Sequence, residues 1–135
     1  MSSTDDADPA LQPEAVAAAM AVLDAHIAAL NARDAEAITA TLHFPHYRLS
    51  PTGMKVWDAP ATYLSDFLAR AGAGWAASAW EFRRPVAATA SKVHLDVQFA
   101  RRDAAGAVTG RYRSLWVVTQ AAGRWAVALR STFAP

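Results

Sequence analysis

The sequence predicts an α+β domain in which three N-terminal helices pack on a strongly curved antiparallel sheet that forms a cone-like half barrel. Apolar residues recur every three or four positions in the first half of the chain, which is typical of helices, whereas residues 91–102 alternate between apolar and polar side chains, which is typical of a strand. The length of 135 residues, with no linker or internal repeat, indicates one domain. We place this domain at residues 13–135, after a disordered acidic tail at residues 1–12.

The first helix is predicted to begin at Pro13, which suits a first helical turn. Its apolar stripe is expected to face the core, with His26 at the rim of the stripe. Asn31 and Asp34 interrupt this helix, and Asp34 can cap a short second one. The predicted stripe consists of Val16, Met20, Leu23, Ile27 and Leu30.

Residues 43–48 mark the change from helix to strand. Pro45 cannot sit inside a helix, and it favours an extended conformation at Phe44. Proline and glycine at residues 50–53 then predict a turn, and with it a short hairpin. A third helix opens after Asp58 and Pro60 and is closed by Gly72.

From residue 76 onward the sequence predicts a meander of antiparallel strands. They cover residues 76–84, 91–102, 108–120 and 125–133, and the last two turns contain Gly106 and Gly123. In the second of these strands, alternation places Leu95 on one face and both His94 and Asp96 on the other.

Composition and charge exclude several classes of protein. The absence of cysteine excludes disulfides, thiolate catalysis and cysteine-ligated metals. No secretory signal or uncharged apolar window of about 18 residues is found, so we expect a cytoplasmic protein with no membrane partner. Acidic side chains outnumber basic ones ten to four up to residue 82, and basic outnumber acidic nine to two beyond it. We expect these halves to neutralise each other within the fold or across a dimer.

The predicted order of elements resembles the nuclear-transport-factor-2-like superfamily, which includes SnoaL-like polyketide cyclases, ketosteroid isomerases, scytalone dehydratase and limonene-epoxide hydrolase. The resemblance covers about residues 13–133. It rests on the element order, the helix-to-strand junction at Phe44 and Pro45, the hairpin at Gly106, and the closing pair Gly123 and Trp125. It implies a mostly apolar cavity between the helices and the concave face of the sheet, and a homodimer formed through the outer face.

The resemblance also implies candidate site residues. Ketosteroid-isomerase-like members place an aspartate before a proline at the entry to the first hairpin, where this chain has Phe44. His46 can replace it as acid or base, because an imidazole titrates near pH 6.5. Tyr63 and Tyr112 are the candidate hydrogen-bond donors. The predicted ligand-binding wall consists of Phe44, Trp57, Phe67, Trp80, Leu95 and Trp116.

Three other assignments fit the sequence less well. Asp96 with Arg111 or Arg113 supplies the residue types of the Asp-Arg-Asp constellation of limonene-epoxide hydrolase, but strand parity places them on the outer surface. His43 and His46 diverge across a proline, so we predict no metal site and no cofactor. Nucleic acid is a poor candidate partner, since lysine is scarce and no recognised motif accompanies the arginines.

The sequence therefore predicts a SnoaL-like domain whose partner is a small apolar metabolite in the cone. If the domain is an enzyme, a cofactor-free isomerisation, cyclisation or dehydration is the expected reaction class. The alternative is a non-catalytic dimeric binding or assembly module whose cavity is filled by its own side chains.

Overall fold

A computed structural model describes residues 6–135 as three α-helices packed on a six-stranded sheet. This confirms the predicted α+β class and element order. The helices are α1 (Pro13–Asn31), α2 (Ala35–Ala40) and α3 (Tyr63–Ala71). The strands are β1 (Leu42–Ser50), β2 (Gly53–Trp57), β3 (Ala77–Ala88), β4 (Lys92–Arg102), β5 (Val108–Ala121) and β6 (Arg124–Thr132).

The sheet is mixed rather than wholly antiparallel. Its strand order is β2-β1-β6-β5-β4-β3, and β6 runs parallel to β1 while the other neighbours are antiparallel. The parallel pair arises because the chain passes through α3 and the whole β3–β6 meander before it returns beside β1. The sheet does not close, since β2 and β3 remain as its edges.

The buried face of α1 includes Leu23 and Leu30 of the predicted apolar stripe but is partly rotated from that stripe. Val16 and Met20 are only half-buried, whereas His26 is 3% exposed, so its predicted place at the rim was wrong. Small alanine side chains allow the helix to lie close to the sheet, and this brings His26 inside. The fully buried residues of α1 are Ala15, Ala19, Leu23, His26, Ala29 and Leu30.

By length and composition alone α1 could cross a membrane, with a mean hydropathy of 1.4. That is weak evidence, because a helix buried in a protein core passes the same test. The predicted boundary after α1 is confirmed: Asp34 caps α2 by accepting a hydrogen bond from the Ala37 amide at 3.1 Å.

The segment that follows α2 forms the predicted hairpin. β1 contains Pro45, preceded by a cis peptide bond, and pairs with β2 from His46 opposite Trp57 to Ser50 opposite Gly53. A 3-10 turn at Pro60–Thr62 then leads into α3. Gly72 ends α3 with a φ of 84°, a conformation that glycine adopts without strain.

Part of the predicted tail is packed against the domain. Residues 1–5 lie outside the described residues. Pro9–Leu11 form a 3-10 turn, and the Ala88 amide at the end of β3 donates to the carbonyl oxygen of Ala7 at 2.8 Å. The expected disorder therefore does not extend over these described residues.

The outer face of the sheet has two different halves. On β3–β5 the charges pair, with Arg111 to Glu81 at 2.9 Å and Arg113 to Asp96 at 2.7 Å. The other half, which we call the apolar outer face, lies on β1, β2, β6 and the adjoining parts of β5 and the C-terminal segment. It consists of the exposed residues Tyr47, Leu49, Met54, Val56, Leu115, Leu129 and Phe133.

Candidate functional site

A cavity of about 40 Å³ lies between α1, α3 and the concave face of the sheet. Side chains of aromatic residues and arginines fill most of the space around it. We call it the arginine cavity, after the four arginines that line it: Arg48, Arg70, Arg101 and Arg130. Within residues 6–135, no aspartate or glutamate lines this cavity.

The fold forces these like charges together. Arg48 of β1 lies directly opposite Arg130 of the parallel strand β6. Arg101 comes from β4 and Arg70 from α3, so four of the elements that line the cavity each contribute one guanidinium. Arg48, Arg101 and Arg130 are 4%, 6% and 6% exposed. Buried charges are normally paired, and like charges opposite each other on neighbouring strands are destabilising.

Main-chain oxygens, a hydroxyl group and an aromatic ring hold the guanidinium groups of Arg48 and Arg130 in place. Arg48 Nη2 donates to the main-chain oxygens of Ala134 at 3.0 Å and Pro135 at 3.2 Å. Arg130 Nη2 donates to the Tyr63 hydroxyl at 2.5 Å, and its guanidinium carbon lies 5.0 Å from the Trp116 ring centre. Such cation–π contacts offset part of the cost of burying a charge, by about 1 to 2 kcal/mol each.

The cavity has a surplus of hydrogen-bond donors. Four buried N–H atoms have no hydrogen-bond acceptor among the residues described: Arg70 Nε, Arg101 Nε, Arg130 Nη1 and Trp116 Nε1. Buried polar groups are hydrogen-bonded in the great majority of structures. Several unpaired donors at one cavity therefore indicate a site suited to a ligand that accepts hydrogen bonds.

Arg48 and Arg70 remain cationic at neutral pH although burial lowers the pKa of each. Burial, and then the charge of Arg70, lower the pKa of Arg48 to about 9. Burial, and then the charge of Arg130, lower the pKa of Arg70 to about 10. Burial also lowers the pKa of Arg101. An anion bound among these residues would reverse the effect of their mutual repulsion.

His26 adds a hydrogen-bond acceptor to a cavity that is otherwise rich in donors. The Thr41 hydroxyl donates to the Ile38 carbonyl at 2.6 Å, so its oxygen accepts from His26 Nδ1 at 2.8 Å. Burial, and then the charge of Arg130, lower the pKa of His26 to about 3. The ring is thus neutral, with Nδ1 protonated and Nε2 left as an acceptor. Its edge meets the Trp116 ring, with the ring centres 5.2 Å apart.

His46 lies behind the cavity wall rather than in it. It is fully buried, between the rings of Trp57 (6.0 Å between centres) and Tyr63 (5.7 Å). Its Nδ1 lies 3.2 Å from the Val127 carbonyl oxygen, to which it must donate. Burial, and then the charge of Arg130, lower the pKa of His46 to about 2. This placement gives His46 no direct contact with a ligand in the arginine cavity.

The other predicted site residues are divided among several places. Tyr63, Phe67, Trp80 and Trp116 all line the arginine cavity. Tyr112, Phe44 and Leu95 do not line it. Tyr112 lies against Arg101, with the guanidinium carbon 5.1 Å from its ring centre; Phe44 packs on the core near His46; Leu95 is fully buried within the sheet.

A second, open cleft of about 430 Å³ lies between the β1–β2 hairpin and α3. We call it the hairpin cleft. Trp57 lines it and donates from Nε1 to Asp66 Oδ2 at 2.8 Å, which ties β2 to α3. Arg48 and Arg70 line both the hairpin cleft and the arginine cavity.

Sequence reasoning did not single out Arg70, Arg101 or Arg130 as site residues. Part of the cluster could have been found. The parity that places Phe99 on the inner face of β4 places Arg101 there too, and both line the cavity. His94, Asp96, Arg111 and Arg113 lie on the outer face, away from the cavity.

Comparisons with known proteins identify the fold. No protein-family model matches the sequence, and no curated protein matches it. Among solved structures, a Nostoc punctiforme protein of unknown function with a cystatin-like fold is 13% identical, with a TM-score of 0.73 over 89% of this chain and 90% of that one.

Two further matches carry more specific descriptions. A ketosteroid isomerase-like protein from Erwinia carotovora atroseptica is 19% identical, with a TM-score of 0.62 over 89% of this chain and 95% of that one. An NTF2-like protein from Cytophaga hutchinsonii is 16% identical, with a TM-score of 0.65 over 86% and 94%. At these identities the likeness establishes the fold alone: the chain has the NTF2-like, cystatin-like fold that its sequence resemblance implied.

Proposed function

We propose that this protein binds a small organic anion, whose carboxylate lies in the arginine cavity. The observation that carries the proposal is the set of four guanidinium groups in one cavity with no aspartate or glutamate partner among the described residues. Removing one charge from water without a partner costs several kcal/mol. A bound anion supplies the missing partner.

The geometry favours a carboxylate over a neutral ligand. Guanidinium groups bind planar carboxylates through paired N–H donors, and such charge-assisted bonds are about twice as strong as neutral ones. The walls between the arginines are the aromatic rings of Phe67, Trp80, Phe99 and Trp116. The ligand proposed here is therefore anionic at one end, in place of the wholly apolar metabolite expected from the sequence.

Binding, rather than acid/base catalysis, is the activity that this arrangement supports. His46 has no access to a cavity ligand, and no carboxylate lines the cavity within the described part of the chain. Tyr63 can still donate a hydrogen bond to the ligand, as expected from the sequence. The Tyr63 oxygen accepts from Arg130, so the hydroxyl proton of Tyr63 is free for the ligand.

Thermal unfolding with matched carboxylate and amide pairs tests the proposal. Sodium acetate and benzoate should raise the melting temperature by about 3 °C or more at saturation, whereas acetamide and benzamide at equal ionic strength should leave it unchanged. Sodium chloride is the control for general screening. Equal effects of acetate and acetamide, or of acetate and chloride, would refute the proposal.

We also propose that two copies associate through the apolar outer face. Two rows of apolar side chains cross the strands there, with Tyr47 opposite both Val56 and Leu129, and Leu49 opposite Met54. Contiguous exposed apolar surface of this kind commonly marks a protein–protein interface. Self-association would cover this surface and would agree with the high apolar content of 53%.

A further inference from the structure

We infer that the hairpin cleft holds the body of the ligand whose carboxylate lies in the arginine cavity, so that the ligand is an extended carboxylate with its chain directed toward the β1–β2 hairpin. This inference rests on the proposed anion site. It adds the shape of the ligand and the element that selects it.

The sizes of the two spaces support this division. The arginine cavity, at about 40 Å³, has room for about three water molecules, which corresponds to the three heavy atoms of a carboxylate group. The rest of a metabolite must lie elsewhere. The hairpin cleft, at about 430 Å³, falls within the range of about 300 to 1,000 Å³ that is usual for small-molecule sites.

Shared walls connect the two spaces. Arg48 and Arg70 line both of them, so a carboxylate held by this pair can project its chain into the cleft. The Arg48 guanidinium is fixed by the main-chain oxygens of Ala134 and Pro135. Arg70 reaches the same point from α3, and its Nε has no acceptor among the described residues.

The hairpin cleft offers apolar walls to an alkyl chain, and the lysine among its described lining residues, Lys55, already lies 4.0 Å from Asp66 Oδ2. The indole of Trp57 and the methyl group of Ala69 offer apolar contact near the arginines. The hairpin tip is polar, with the hydroxyls of Ser50 and Thr52 2.9 Å apart. The sole carboxylate among the lining residues described is Asp66, which already accepts hydrogen bonds. The hairpin residues and Ala69 would therefore set the length of chain that is accepted.

Titration calorimetry with formate, butanoate and hexanoate tests the inference on three proteins. These are the wild type, Ala69→Trp, which fills the cleft from an exposed position of α3, and Ala21→Trp, a matched change at an exposed position of α1. Wild type should bind more tightly with each added methylene, by about two- to fourfold. Ala69→Trp should keep the wild-type affinity for formate and bind hexanoate at least tenfold more weakly, while Ala21→Trp should match wild type throughout.

The outcomes separate this inference from the proposed function. If hexanoate binds wild type no better than formate, or binds Ala69→Trp as well as wild type, the cleft does not hold the chain and the inference fails, although the anion site stands. If none of the three carboxylates binds wild type, the anion site itself is wrong.

Discussion

Arg101 and Arg102 are consecutive residues of β4 with opposite surroundings. Arg102 is exposed and donates to the Gly106 carbonyl, whereas Arg101 is buried among Phe67, Phe99 and Tyr112 with its Nε unpartnered among the described residues. Alternation along a strand explains the difference. Composition cannot reveal it, because both residues are counted alike in the basic half of the chain.

Replacing Arg101 by methionine should separate binding from stability. The change removes an unpaired buried charge and keeps a long apolar side chain, so without ligand the protein should be at least as stable, by a gain of about 1 kcal/mol or more. The stabilisation by acetate should fall sharply. Arg102→Met, at an exposed position, should leave the acetate effect unchanged. Urea unfolding with and without acetate measures both quantities, and a large loss of stability in Arg101→Met would indicate that its charge has a partner.

The buried histidines predict a loss of stability in mild acid. The folded-state pKa values of His26 and His46, about 3 and about 2, lie below the value near 6.5 of an unfolded chain. Below pH 6.5 the unfolded state therefore takes up protons that the folded state does not, so stability is complete above that pH and falls as the pH drops.

The expected loss is about 2 kcal/mol per histidine between pH 7.5 and pH 5. Urea unfolding across this range should show the decline, and His46→Phe should remove about half of it. A free energy of unfolding that stays flat from pH 7.5 to pH 5 would mean that the two rings are not buried as described.

At the scale of elements, hydrophobic periodicity together with cap and turn residues was sufficient to predict the helices, the hairpin and the strands. Asp34 caps α2 and Gly72 ends α3 as predicted. The sequence revealed the buried face of α1 only in part: Leu23 and Leu30 are buried as predicted, but close approach to the sheet buries alanines of α1 in place of some larger side chains. It did not reveal the parallel pairing of β1 and β6, which joins residues about 80 positions apart and leaves no local pattern.

The connection between β2 and α3 predicts the effect of a single change. Asp66 accepts from Trp57 Nε1 at 2.8 Å and from the Thr62 hydroxyl at 2.9 Å. Asp66→Ala leaves both donors without this partner and should cost about 1 to 3 kcal/mol. It should also speed amide hydrogen exchange in α3. Asp58→Ala, at an exposed position of the preceding loop, is the control; equal stability of the two variants would show that the connection contributes nothing.

At the scale of the whole molecule, the charge asymmetry is only partly neutralised inside the chain. Arg83 pairs with Asp24 and Arg111 with Glu81, which joins the two halves as expected. Arg101 and Arg130, also from the basic half, have no ion pair within residues 6–135. The surplus of basic residues seen in the sequence thus lies in part on the cavity wall.

The apolar outer face predicts a dimer that one charge can disrupt. Leu129 lies on β6 opposite Tyr47 and is 39% exposed. Sedimentation should give a dimer for wild type at micromolar concentration and a monomer for Leu129→Glu. Val86→Glu, which also charges an exposed apolar residue but on the far edge strand β3, should remain dimeric. A monomeric wild type would rule out the proposed association.

Titration calorimetry of sodium acetate with wild type and with Arg130→Met, at low ionic strength, tests most directly whether the arginine cavity binds an anion. Arg130 lies on β6, opposite Arg48 of β1 on one side and opposite Trp116 of β5 on the other. We predict binding of one acetate per chain to wild type, weakened by added salt and at least tenfold weaker in Arg130→Met. Absence of binding to wild type, or equal affinity in the two proteins, would contradict the assignment of the arginine cavity as an anion site.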